Sequence, residues 1–120
     1  MSGVGLAWLV CLAITLAFEL PIAAIGLGRA AVDPRTRADR RRWRCAAVAL
    51  VANLLTHPLV WAACRTWPTP RVALGAELFA VGVEALAYAR WLAVPWPLAL
   101  GVSLVANGVS LGACLLAPMP

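Results

Sequence analysis

Four ionisable side chains in this 120-residue sequence lie within strongly apolar stretches. They are its three glutamates, Glu19, Glu77 and Glu84, and its only histidine, His57. An ionisable group at the centre of a bilayer costs at least about 2.5 kcal/mol on insertion scales. Such residues persist when they face the interior of a helix bundle and find a partner there. Three carboxyl groups and one imidazole could together exchange protons or hold a cation.

Helical spacing predicts that each apolar stretch has one polar face. Side chains three, four, seven or eleven residues apart share a face of an α-helix. The aligned sets are Thr15 and Glu19; Asn53, Thr56 and His57; Glu77, Glu84 and Tyr88; and Ser103, Asn107, Ser110 and Cys114. Pro21 and Pro58 would free the carbonyl groups of Ala17 and Leu54 beside these polar faces.

At about 1.5 Å of rise per residue, the polar groups fall at two depths in a membrane. We expect an inner layer of Glu19, Asn53, Glu84 and Asn107, and an outer layer of His57, Glu77 and Ser110, with His57 paired to Glu77. We interpret Tyr88 as an interfacial anchor. The candidate ligand- or ion-binding residues are Glu19, Asn53, His57, Glu77, Glu84 and Asn107. Oxygen and nitrogen donors suit divalent metals, but no coordination geometry can be deduced across four helices, so metal and cofactor stay unassigned.

A structural interpretation of the polar residues stands beside this one. Ser, Thr and Asn side chains in membrane bundles commonly form interhelical hydrogen bonds worth about 0.6 kcal/mol on average. Gly108 and Gly112, spaced as G-x-x-x-G, are typical of close helix packing. The scattered cysteines have no C-x-x-C spacing and are interpreted as small packing residues; a disulfide among Cys11, Cys64 and Cys114, all in the outer half of their helices, is the alternative.

The elements that must position these groups are four transmembrane helices. Apolar residues make up 63% of the chain and its mean hydropathy is +0.88, too apolar for a soluble domain of this size. Proline- and tryptophan-containing breaks divide it into spans at about 4–28, 45–64, 72–89 and 98–117. Short connections predict an all-α integral membrane protein, a single-domain up-down-up-down bundle over residues 1–120.

The charge pattern predicts an orientation. Most arginines lie in one segment, 31–44, which is typical of a cytoplasmic loop and gives no support to a nucleic-acid partner for the net charge of +5. Both termini are therefore expected outside the cell membrane. Tryptophan placement agrees, with Trp8, Trp61 and Trp67 near the outer boundary and Trp43, Trp91 and Trp96 near the inner one.

Three functions remain open. The first is a membrane protein whose acid/His/Asn cluster binds a proton, cation or small polar ligand, in transport and as a homo-oligomer or part of a larger membrane complex. The second is a non-catalytic accessory subunit of a larger membrane assembly. The third is an intramembrane enzyme using His57 and a glutamate as acid and base. It is the least supported, because no Ser or Cys nucleophile pairs with His57 and no H-E-x-x-H spacing occurs, so no catalytic residue is assigned.

Overall fold

The computed structural model describes residues 3–30 and 37–116 and consists of four helices. They are α1 (Gly3–Gly28), α2 (Ala38–Thr66), α3 (Pro70–Trp91) and α4 (Trp96–Leu116). Of the described residues, 91% are helical and none forms a strand. The prediction of an all-helical chain with four helices long and apolar enough to cross a membrane is confirmed.

The second helix begins earlier than predicted. It starts at Ala38, so the arginines at 40, 41, 42 and 44 lie on its first two turns and not in a loop. Arginine is a good helix former, and Asp39 in the first turn interacts favourably with the positive end of the helix dipole. The loop predicted at 31–44 is therefore wrong for its second half, and 31–36 lies outside the described residues, as does the predicted last residue of the fourth helix.

The four helices close into a ring in which each contacts its two neighbours. α1 packs against α2 and α4, and α3 packs against the same two helices. Gly26 of α1 lies against Val102 of α4 whereas Glu19 bonds to Ser110, so these two helices run antiparallel. This arrangement leaves a central axis that all four helices border.

Local signals in the sequence explain the two short connections. The Thr69 side chain accepts a hydrogen bond from the Val72 amide, and Pro70 occupies the first turn of α3, where its missing N–H is not needed. After α3, Ala93 adopts a φ of 53°, in the left-handed region that commonly ends helices. Each connection turns the chain back along the preceding helix.

One half of the bundle interior is apolar. We call this cluster the apolar plug; it lies where α1 ends and α4 begins, and consists of Ala23, Leu27, Cys45, Ala49, Ala85, Tyr88, Leu92, Val94 and Ala99. Small alanines allow the helices to approach closely here. Tyr88 is fully buried in this plug, so its interpretation as an interfacial anchor is wrong. Its ring faces the bundle axis because it shares the helix face of Glu84, one turn away.

The outer surface is dominated by apolar side chains. At 1.5 Å per residue each helix is at least about 31 Å long, enough to cross a hydrocarbon core of about 30 Å. Within the apolar 18-residue stretch that identifies each helix as a possible membrane span, at most 33% of the residues are buried. Large residues such as Leu55, Leu74 and Leu86 are more than half exposed. Such a surface is suited to lipid and not to water.

The apolar plug yields a stability prediction. Ala49→Leu should lower the free energy of unfolding by about 1–3 kcal/mol, because extra methyl and methylene groups overpack a closely packed site. Ala47→Leu, on the exposed face of the same helix turn, should change it by less than about 0.5 kcal/mol. Unfolding in detergent followed by circular dichroism measures both. Equal effects of the two variants would contradict the assignment of the plug.

Candidate functional site

The other half of the bundle interior contains a polar cavity. It has a volume of about 150 Å³ and extends toward the end of the bundle where α1 begins and α4 ends. A cavity of this size can hold a few water molecules or a small ligand. Its polar lining, contributed by all four helices, comprises Cys11, Thr15, Glu19, Asn53, Thr56, His57, Trp61, Cys64, Glu77, Glu84, Asn107, Ser110 and Cys114.

Glu84 is the most extensively bonded acid in the cavity. It is fully buried on α3, and its Oε2 accepts from Asn107 Nδ2 at 2.6 Å and from Ser103 Oγ at 2.9 Å. Both donors lie on α4, four residues apart, and therefore share a helix face. Glu84 thus joins α3 to α4 where the cavity meets the apolar plug.

Glu19 is held by the same helix from the other side. It is fully buried on α1, and its Oε1 accepts from Ser110 Oγ at 2.8 Å. Ser110 follows Asn107 by three residues, so α4 presents a continuous polar stripe to both acids. The bond also shows that Ser110 and Glu19, expected in different layers, lie at one level, so the two predicted layers are not separate.

Each serine lies between a carboxyl oxygen and a backbone carbonyl. Ser103 Oγ is 3.1 Å from Val81 O as well as near Glu84, and Ser110 Oγ is 3.1 Å from Asn107 O as well as near Glu19. A hydroxyl group carries one hydrogen, so it cannot donate to both acceptors at once. Each serine can instead donate to the carbonyl and accept a hydrogen bond from a protonated carboxyl group. The network therefore accommodates both the ionised and the protonated acid.

The second oxygen of each buried acid has no bonding partner in the described part of the chain. These atoms are Glu19 Oε2 and Glu84 Oε1. Among residues 3–30 and 37–116, the cavity lining includes three glutamates and no arginine. A buried carboxylate without a cationic partner is strongly unfavourable, and protonation or a bound cation removes the cost.

His57 and Glu77 line the same cavity but are only half-buried. The His57 ring lies 6.0 Å from that of Trp8, and its Nε2 is buried with no partner among the described residues. The predicted pairing with Glu77 is therefore not made by this nitrogen. Trp8 and Trp61 are half-buried as well, so these two tryptophans contribute to the bundle interior as much as to an aromatic belt.

Two polar side chains of helix α2 bond to its own backbone, and one of them, Asn53, also lies within hydrogen-bonding reach of Glu19. Asn53 Nδ2 donates to Ala49 O at 3.1 Å and Thr56 Oγ1 to Ala52 O at 3.0 Å. The carbonyls freed by Pro21 and Pro58 were expected beside the acids. Both prolines, together with Ala17 and Leu54, are exposed on the outer face, so that expectation is wrong.

Three free thiols mark the end of the cavity distant from the plug, at Cys11, Cys64 and Cys114. Cys114 Sγ lies 3.9 Å from the carbonyl oxygen of Cys11. Within residues 3–30 and 37–116, no group of three or more His, Cys, Asp or Glu side chains is placed to hold a metal ion.

Sequence reasoning selected Glu19, Asn53, His57, Glu77, Glu84 and Asn107, and all six line the cavity. The assigned set omits Ser103 and Ser110, which bond directly to the acids. Their positions on the face of Asn107, at spacings of four and three, were the available signal.

Comparison with protein families, curated proteins and solved structures finds no match for this chain. The arrangement of its own residues therefore carries the functional argument.

The Glu84 network predicts how two substitutions differ. Glu84→Gln should keep the free energy of unfolding within about 0.5 kcal/mol, because an amide oxygen can accept the same two hydrogen bonds. Glu84→Ala should lower it by about 1–3 kcal/mol, since the buried donors of α4 lose their acceptor. Thermal unfolding in detergent compares them, with half-buried Glu77→Ala as the control. Equal losses for Gln and Ala would argue against these bonds.

Proposed function

We propose that this chain is a small multi-pass membrane protein whose polar cavity binds a proton, a cation or a small polar ligand in a transport process. Among these ligands the geometry favours the proton. The observation that carries this choice is the position of Ser103 and Ser110, each between a carboxyl oxygen and a backbone carbonyl.

Loss of a proton from either acid can be accommodated without moving a helix. When Glu84 is protonated, Ser103 Oγ accepts a hydrogen bond from its carboxyl group and donates one to Val81 O. When Glu84 is ionised, the serine hydroxyl rotates and donates its hydrogen bond to the carboxylate. The same change applies to Glu19 and Ser110. Rotation of a serine hydroxyl group about its Cβ–Oγ bond is fast and involves little displacement of heavy atoms, so both protonation states fit one backbone.

Access to the acids is asymmetric. The cavity extends toward one end of the bundle, while the apolar plug occupies the other end. A proton or cation that enters the cavity therefore meets a packed apolar barrier beyond Glu84. Complete transport requires either a movement of the plug or a pathway formed with other subunits, which supports a homo-oligomer or larger membrane complex.

Membrane orientation follows from charge. Arg40, Arg42 and Arg44 are exposed at the plug end of the bundle, and the positive-inside rule places that end in the cytoplasm. The cavity then faces the outside of the cell membrane, as do both chain termini.

Proton flux in reconstituted liposomes tests the proposal. Wild-type protein should acidify or alkalinise a vesicle lumen containing a pH-sensitive dye when a membrane potential is imposed. Glu19→Gln and Glu84→Gln should each reduce this flux at least about tenfold, because an amide at the same place cannot release a proton. Unfolding measured in parallel should be unchanged for Glu84→Gln.

Asp39→Asn is the matched control, since it removes a carboxyl group that is exposed and remote from the cavity. It should retain wild-type flux. Infrared difference spectroscopy adds a readout that does not depend on transport: a protonated-carboxyl band that changes with pH should be lost or reduced in the Glu variants. Unchanged bands and unchanged flux in both Glu variants would refute proton binding at this cavity.

An accessory role in a larger assembly is the second candidate, and glycines on the outer surface favour it. Gly75 and Gly82 of α3, and Gly101 and Gly108 of α4, are exposed, and a Cβ built at any of them would meet nothing within 4 Å. The close packing expected of Gly108 and Gly112 is therefore absent within the described bundle, and these faces could receive helices of another subunit. In that case Gly108→Leu would release a copurifying protein while Glu84→Gln would have no phenotype.

Orientation has its own test. Single cysteines introduced at Ser2 and in the 31–36 segment of a variant lacking native cysteines should differ in labelling of intact cells by a membrane-impermeant maleimide. We expect labelling at position 2 and none at the segment until the membrane is permeabilised. The opposite pattern would reverse the proposed orientation without affecting the cavity chemistry.

A further inference from the structure

A groove on the outer surface between α1 and α2 combines charged and apolar groups at the end opposite the cavity. It has a volume of about 360 Å³. Its polar end carries Arg42 and Asp39, and beside them stands Trp43, which is 77% exposed. Its remaining wall is apolar and consists of Leu20, Pro21, Ala24 and Ala46.

The position of Arg42 is determined by helix packing. A Cβ built at the buried Gly28 would lie only 3.1 Å from Arg42 Cγ, so the absence of a side chain at 28 lets the arginine stem lie against α1. Extension of α2 to Ala38 supplies the helical turn that carries the arginine. The neighbouring Arg44 is used differently, since its Nη2 donates to Trp91 O at 2.9 Å and joins α2 to the end of α3.

From this geometry we propose that the groove binds one anionic phospholipid. The phosphate group bonds to the guanidinium of Arg42, and an acyl chain lies along Leu20, Pro21 and Ala24. Arginine matches the geometry of phosphate oxygens, and the exposed Trp43 is of the residue type enriched at the boundary between head groups and hydrocarbon. Basic pockets between transmembrane helices on the cytoplasmic side are suited to such head groups.

Charge complementarity favours an anionic over a zwitterionic lipid. Arginines at 40, 41, 42 and 44 lie on the first two turns of α2 with one aspartate, at 39, so this end of the helix is positively charged, and Arg42 and Asp39 are the members of this set that line the groove. A free phosphate ion would share the contact with Arg42 but could not use the apolar wall. The inference rests on the proposed membrane insertion and is independent of the cavity and its acids.

Native mass spectrometry of the full chain in neutral detergent tests the groove, with phosphatidylglycerol and phosphatidylcholine titrated separately. Wild type should bind one phosphatidylglycerol in preference to phosphatidylcholine. Arg42→Gln should weaken phosphatidylglycerol binding about fivefold, which corresponds to about 1 kcal/mol for the loss of one direct hydrogen-bonded contact to the phosphate group. Asp39→Asn should strengthen it, because Asp39 is the one acidic group among the described residues that line the groove.

Arg40→Gln is the matched control, since it removes the same charge from the same turn of α2 but from a residue that does not line the groove. It should change binding by less than about twofold. Ala24→Phe should weaken binding by filling the apolar wall without any change of charge. Arg42→Lys, which keeps the charge and most of the stem, should bind more tightly than Arg42→Gln.

Several outcomes would overturn the proposal that the groove binds an anionic phospholipid. Equal losses for Arg40→Gln and Arg42→Gln would indicate diffuse surface electrostatics. Displacement of phosphatidylglycerol by millimolar inorganic phosphate, with no effect of Ala24→Phe, would indicate a phosphate site without a lipid. If the chain inserts into membranes and shows no preference for phosphatidylglycerol, the groove proposal fails while membrane insertion stands; if it does not insert, the proposed function fails first.

Discussion

The burial of two carboxyl groups, without a cationic partner in the part of the chain that the structure describes, is the constraint on which the interior of this bundle depends. Glu19 and Glu84 are both fully buried, and none of the described arginines lines their cavity. Ionised acids in such a place must be compensated by hydrogen bonds, protons or a bound cation. The polar stripe of α4 and the cavity itself are consequences of that requirement, since both supply groups or space next to the carboxyl oxygens.

Helix α4 therefore has a role that its neighbours do not share. Ser103 and Asn107 bond to the acid of α3, and Ser110 bonds to the acid of α1, so one helix connects both carboxyl groups. Helix α2 contributes Asn53 and Thr56 to the same region but bonds them to its own carbonyl groups. Asn53 also lies within hydrogen-bonding reach of Glu19, and His57 bonds to the backbone of Trp8, so α2 is joined to α1 by polar contacts as well as by apolar packing.

The division of the interior into an apolar plug and a polar cavity appears along each helix. On α1 the buried residues spaced by four are Cys11, Thr15 and Glu19 in the cavity half, followed by Ala23 and Leu27 in the plug half. The antiparallel arrangement brings the polar half of α1 opposite the polar half of α4. A single change of composition midway along the helices thus produces a site that is closed on one side.

The number, type and approximate extent of the helices could be predicted from the sequence, because long apolar stretches separated by proline, tryptophan and arginine are local properties. The polar face of each helix could be predicted for the same reason, since 3.6 residues per turn determine which side chains align. The six selected site residues all line one cavity for this reason.

Only the tertiary structure decided which polar groups meet. The rotation and axial shift of one helix against another depend on close packing of residues such as Ala49, Ala85 and Gly26, and spacing within one helix contains no information about them. For that reason the bond from Ser110 to Glu19, the burial of Tyr88, and the lack of a partner for His57 Nε2 among the described residues could not be derived from the sequence. Sequence periodicity identified the side chains that face inward, and helix packing selected the pairs that form hydrogen bonds.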